Sequence, residues 1–173
     1  MFDKEYSFKG IHAEKVIKLT AKFDKDNQLF ARNLDVYLVA PIIGFIYGCK
    51  VNIDKGTQTT KIFPDILMRE QPNLKFIYRL IMLLDKENEP SFDERINKAF
   101  RYYGSEKAQH DEQLYDQYVL GGVDVLYEKL IATASNSDEY LSNLYDFLED
   151  FDERYNQAIS TDSILDLCRL ARS

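Results

Sequence analysis

Carboxylates at helical spacing are the residues of this chain best placed to act together. Glu139, Asp146, Glu149, Asp150 and Glu153 recur within 138–159 at intervals that gather them on one side of a helix. Leu141, Leu144, Leu148, Phe151, Tyr155 and Ala158 alternate three and four apart and predict the seam that this helix buries. At 1.5 Å per residue, Glu139 to Glu153 spans roughly 21 Å. Carboxylates one turn apart stand roughly 5–6 Å from each other, near the ~7 Å between phosphates of a strand. Such a ridge can dock on a basic partner, imitate a nucleic-acid backbone, or keep a surface solvated. A second set is basic. Lys15, Lys18, Lys22 and Lys25 follow at three, four and three residues beside an apolar face, where they can meet phosphates or lay their stems along greasy surface.

Catalytic and metal chemistry finds little to work with. His12 and His110 are the two histidines, and neither stands in an H-E-x-x-H spacing. Glu106 lies one turn before His110, and Tyr102 and Tyr115 are near in sequence, which makes that stretch the best location for an unrecognised site. No Glu-x-x-His occurs, which excludes a di-iron carboxylate bundle. The run from Asp24 has Leu29 where a calcium loop needs glycine. Phosphate-binding glycine loops and the nucleophile elbow are absent. The expectation is no catalytic residue, no metal and no cofactor.

The charge balance is polarised. Residues 1–62 hold ten Lys/Arg against seven Asp/Glu, and 63–173 hold twelve against twenty-two, for a net charge of −7. Either the two ends neutralise one another in one fold, or the chain attracts a charged partner or a second copy of itself. A sequence pI near 4.9 argues against direct nucleic-acid binding outside an assembly. Cys49 and Cys168 form no C-x-x-C pair, which suits a reduced, cytoplasmic setting. Residues 2–9 mix charges rather than forming a leader, and the longest apolar run, 36–47, is too short to span a bilayer. The bias toward Lys, Asn, Ile, Tyr, Phe, Asp and Glu fits a bacterial origin.

These residues need elements to position them, and the periodicity is helical almost throughout. Helices are predicted over 10–23, over 29–48 with a kink at Pro41, over 72–85, and from Ser91 to Gly104. Others follow over 106–134, over 138–159, and from Ser160 onward with Ile164, Leu165, Cys168 and Ala171 on one side. Ser91 and Glu94 predict a capping box, and Asn136 with Glu139 a second. Residues 50–63 fit either a short hairpin or a mobile loop. Gly121-Gly122 interrupts the 106–134 helix, so a break or kink is expected between Leu120 and Val123, or else close contact with another backbone. Twelve Tyr and eleven Phe without Trp predict an aromatic core.

The fold expected is a single mainly α domain over 1–173, with seven to eight helices around the central apolar helix at 36–47. The function expected is that of a non-catalytic interaction protein, a subunit or adaptor in a bacterial assembly that binds a protein partner or itself and no membrane. The alternative is an acidic inhibitor of the anti-restriction or anti-CRISPR type, mimicking nucleic acid through the carboxylate ridge.

Overall fold

The computed structural model describes residues 1–25 and 27–155. The helix predicted from Ser160, with Cys168, and Ala158 of the acidic segment lie outside them. Strand β1 (Tyr6–Lys9) leads directly into α1 (Gly10–Leu19), then come α2 (Asn33–Ile46), β2 (Thr59–Ile62), α3 (Pro64–Arg69), α4 (Gln71–Leu84) and α5 (Phe92–Ile96). A π-helical turn at Asn97–Arg101 continues α5, a 3-10 turn at Glu106–Ala108 precedes α6 (Gln109–Leu130), and α7 (Ser137–Tyr155) closes the described chain. The mainly helical single domain is as expected.

The sheet differs in its pairing. Its second strand does fall within 50–63, but its partner is β1, antiparallel with Tyr6 opposite Ile62 and Lys9 opposite Thr59. The local spacing of Val51, Ile53, Thr57 and Thr59 carries no information about a partner fifty residues upstream. The stretch between α2 and β2 has another task. Asp54 accepts from the Ile11 N–H at 2.8 Å, capping α1 from outside because Lys9 offers no cap of its own.

Helix α1 stops at Leu19, four residues short of the predicted end, where the Thr20 hydroxyl bonds back to the Val16 carbonyl. Helix α2 runs through Pro41 unbroken, and α6 runs through Gly121-Gly122 unbroken. The expected break is absent; the expected close backbone contact is there instead. A Cβ on Gly122 would overlap the Ala40 carbonyl of α2, one on Gly121 the Cys49 carbonyl, and one on Gly44 the Tyr118 carbonyl of α6. Small residues at Ala40 and Gly44, one turn apart on α2, face the glycine pair on α6. The two helices form the centre of the fold together, since α6 buries as much as α2 does.

Around this pair sits the aromatic core. Phe2 meets Tyr37 and Tyr115 edge-on with ring centroids 6.4 and 5.8 Å apart, and Tyr78 meets Tyr115 at 5.6 Å. The Ser91 hydroxyl accepts from the Glu94 N–H at 3.3 Å as predicted, but Glu94 does not reach back. Its carboxylate takes the Asn97 amide instead, and Glu89 takes the Ser91 N–H. After Asn97 the wider π-turn, closed by Tyr102 N–H to the Asn97 carbonyl, shifts the side-chain phase. Phe100 is therefore 52% exposed while its neighbour Ala99 is buried.

One buried cation holds the α4–α5 corner. Arg95 donates to the carbonyls of Leu83, Glu89 and Pro90 at 2.8–2.9 Å, satisfying the end of α4 and the linker after it. Arg95→Met should cost about 3 kcal/mol, because it strands those carbonyls away from water. A urea melt should show an earlier midpoint at unchanged slope; an unchanged midpoint would mean that water reaches the carbonyls.

Candidate interaction surface

Helix α7 begins as its residues dictate. Asn136 Oδ1 accepts from the Glu139 N–H at 3.1 Å, and Glu139 Oε2 accepts from the Ser135 N–H at 2.6 Å, a reciprocal cap. The face it packs inward is not the one expected. Tyr140, Leu144, Phe147 and Phe151 contact the core, whereas Leu141, Tyr145 and Leu148 are 52%, 65% and 55% exposed. Both stripes have helical spacing. Aromatic partners decide between them: Tyr140 stacks on Phe23 at 5.2 Å, and Phe147 on Tyr47 at 6.5 Å. Of the expected seam, Leu144 and Phe151 pack inward, Leu141 and Leu148 do not, and the Tyr155 side chain lies outside the described residues.

The five carboxylates divide in the same way. Glu139 is held in the cap just described. Asp150 is half-buried and accepts from the Tyr47 hydroxyl at 3.3 Å, tying α7 to the end of α2. Asp146, Glu149 and Glu153 are exposed, with no ion pair among the described residues. At 100° per residue, the Leu141–Tyr145–Leu148 stripe lies about a quarter-turn from the packed face, and these three carboxylates flank its far side. The surface is thus an apolar strip with an acidic border. Interfaces combine an apolar, aromatic-bearing centre with a polar rim in this manner. The sequence carried the signal for it, because one helix cannot bury two apolar stripes a quarter-turn apart against a single neighbour.

The lysine set is not a free basic face. Lys15 pairs with Asp124 of α6 at 2.9 Å, and the Lys15 and Lys18 ammonium groups both sit 5.4 Å from the centre of the Tyr127 ring. Lys18 also donates to the Tyr127 hydroxyl at 3.3 Å. Lys22 and Lys25 lie past the end of α1, so they do not continue its stripe, and Lys22 bonds to the Lys25 carbonyl at 3.3 Å. A helix ending at Leu19 cannot align four lysines.

The histidines do not assemble a centre either. His110 and Glu106 are exposed, Tyr115 is fully buried in the core, and Tyr102 is turned to Glu94 at 3.4 Å. His12, which its sequence neighbours did not distinguish, is buried with Nε2 at 3.2 Å from Asp124 Oδ1, close but poorly aligned for a strong hydrogen bond. Burial pushes the Asp124 carboxyl up, but His12 and Lys15 beside it outweigh that and hold it below the usual range. Burial, with Asp124 and Glu128 nearby, pushes the Cys49 thiol up, the direction opposite to that of a nucleophile. The cluster latches α1 onto α6. Among the described residues no group of three His, Cys, Asp or Glu is arranged to hold a metal ion, and no helix is long and apolar enough to cross a membrane.

No protein-family model, curated protein or solved structure matches this chain.

Proposed function

We propose that this chain is a non-catalytic interaction protein, a subunit or adaptor of a bacterial cytoplasmic assembly, which docks a partner protein through α7. The observation that carries this reading is the exposed stripe of Leu141, Tyr145 and Leu148, each more than half open to solvent. Leaving three large apolar side chains in a row on one helix forfeits burial that each could gain, roughly 1.5–3 kcal/mol apiece, which a partner restores. Asp146, Glu149 and Glu153 give the partner its chemistry: an apolar groove with lysine or arginine along one edge. Helix α7 has 19 residues, about 28 Å of contact length, enough for a helix-in-groove mode.

A second reading is nucleic-acid mimicry, and the exposed Asp146, Glu149 and Glu153, which have no ion pair among the described residues, favour it. Glu139 and Asp150 weaken it, because both already have partners within the fold. One experiment separates the readings. Tagged protein is expressed in its native host as the parent, as Leu141→Ser/Tyr145→Ser/Leu148→Ser, and as Asp146→Asn/Glu149→Gln/Glu153→Gln. All three should melt within about 1 kcal/mol of one another, since the changes are on the surface. Docking through the stripe predicts that the apolar variant loses the co-purifying partner, while the neutralised variant keeps it with weaker salt dependence. Mimicry predicts the reverse. Equal retention by all three contradicts both.

A further inference from the structure

A cavity of about 400 Å³ opens between the N-terminal segment, α2 and α6, away from the α7 surface. Three carboxylates line it, from Asp3, Glu112 and Asp116, together with the phenols of Tyr6 and Tyr37. The two rings are 4.4 Å apart, centre to centre. Tyr37 is 1% exposed, yet its hydroxyl has no hydrogen-bond partner among the described residues. A buried phenol normally finds a partner, so Tyr37 points to something the cavity receives.

The charges define its class. Two of the chain's own cations line it as well: the Met1 ammonium is 3.4 Å from Asp3 and 3.9 Å from Glu112, and Lys4 belongs to the wall. Asp116 has neither an ion pair nor a hydrogen bond among the described residues. Glu112, one helical turn earlier, adds a like charge. An oxyanion would be repelled there. A sugar would leave the Asp116 charge uncompensated. A bare metal ion would need a ligand cluster that the described residues do not form. An ammonium group answers each feature, with three N–H donors for two carboxylates and a phenol oxygen, and aromatic faces for its charge.

We propose that this cavity binds a compact primary amine, whose ammonium lies between Asp116 and Glu112 and donates to the Tyr37 hydroxyl. Burial and the neighbouring Glu112 raise the Asp116 carboxyl to about 7, so the empty cavity holds it protonated in mild acid. Amine binding requires the carboxylate and therefore releases a proton. The groups facing Asp116 are Asp3, Lys4 and the Met1 ammonium from the N-terminal segment, Tyr6 from β1, Tyr37 from α2, and Glu112 and Tyr115 from α6 itself.

Titration calorimetry with putrescine tests the proposal on the full chain. Saturable 1:1 binding is expected, tightening about tenfold from about pH 6 to about pH 8 as the carboxylate fraction rises from roughly a tenth to nine-tenths. Asp116→Asn should weaken binding at pH 8 at least tenfold and abolish the pH dependence, which separates Asp116 from any other group titrating over that interval. Tyr37→Phe should weaken it by less. Cooperative melting of both variants confirms that they fold. No saturation at about 10 mM putrescine at pH 8, or equal affinity in Asp116→Asn, overturns the proposal.

Discussion

Replacing Gly121 and Gly122 together by alanine should unfold the protein under conditions in which the parent is native. Both positions lie in the middle of a continuous 22-residue helix, where alanine ordinarily gains about 1 kcal/mol per glycine replaced. Here the new methyl groups have nowhere to go. One on Gly122 overlaps the Ala40 carbonyl and stands 2.9 Å from the Ala40 Cα; one on Gly121 overlaps the Cys49 carbonyl and stands 3.1 Å from the Lys50 nitrogen. The obstacles are backbone atoms of α2 and of the segment directly after it, not the tips of flexible side chains, so relief requires α2 and α6 to move apart. Overpacking of a core costs about 1–3 kcal/mol per site, and rigid backbone on the far side sets the upper end. The pair should therefore cost roughly 5 kcal/mol, comparable to the whole stability of a small domain. Urea unfolding reads it directly. A double variant that is more stable by about 2 kcal/mol would mean that the helices are not in contact there.

Asp116→Asn should stabilise the protein above neutral pH. The Asp116 carboxyl keeps its proton in the fold up to about pH 7, against 3.8 as its ordinary value, because burial and Glu112 disfavour its charge. Between these values the folded chain holds a proton that the unfolded chain has lost. The contribution of this group is thus complete below about pH 4 and disappears as pH rises toward 7. At about 1.4 kcal/mol per tenfold, the parent should lose roughly 3 kcal/mol from this group between pH 5 and pH 8. Asparagine has the same shape and no charge to bury. It should remove that part of the slope and exceed the parent by a similar amount at pH 8. Denaturation curves for parent and variant with the same slope against pH would contradict the burial of this carboxylate.

The same two helices show what the amino-acid sequence reveals and where it stops. The apolar run 36–47 and the glycine pair are visible in a single strand of text, and each correctly announces a buried helix and an unusual contact. Which resolution the glycines take depends on Ala40, Gly44 and Cys49, seventy to eighty residues away, so periodicity within 106–134 could not choose between a break and a close approach. Local signals did well where the partner is also local: the Ser91 hydroxyl and Asn136 cap the helices they precede. They failed where the partner is remote. β2 needed β1, the Lys15 and Lys18 heads needed Asp124 and Tyr127, and the rotation of α7 needed Phe23 and Tyr47. The acidic ridge was legible as composition on a face; its apolar neighbour was legible only as a surplus, because Tyr140 and Phe147 besides Leu141 and Leu148 are too many for one buried face, and local spacing does not say which of them stay outside. Asp116 was invisible. A lone aspartate on a mixed helix gives no sign of the phenols that β1 and α2 bring around it.

The claim that α7 docks a partner is tested most directly by covalent capture in the native host. A photo-reactive phenylalanine in place of Tyr145, the most exposed member of the stripe, should give one discrete cross-linked adduct on illumination. The same residue in place of exposed Lys55, in the segment before β2, should give none. Adding Leu141→Ser and Leu148→Ser should remove the adduct from position 145. No adduct from position 145, or the same products from both positions, would contradict the account.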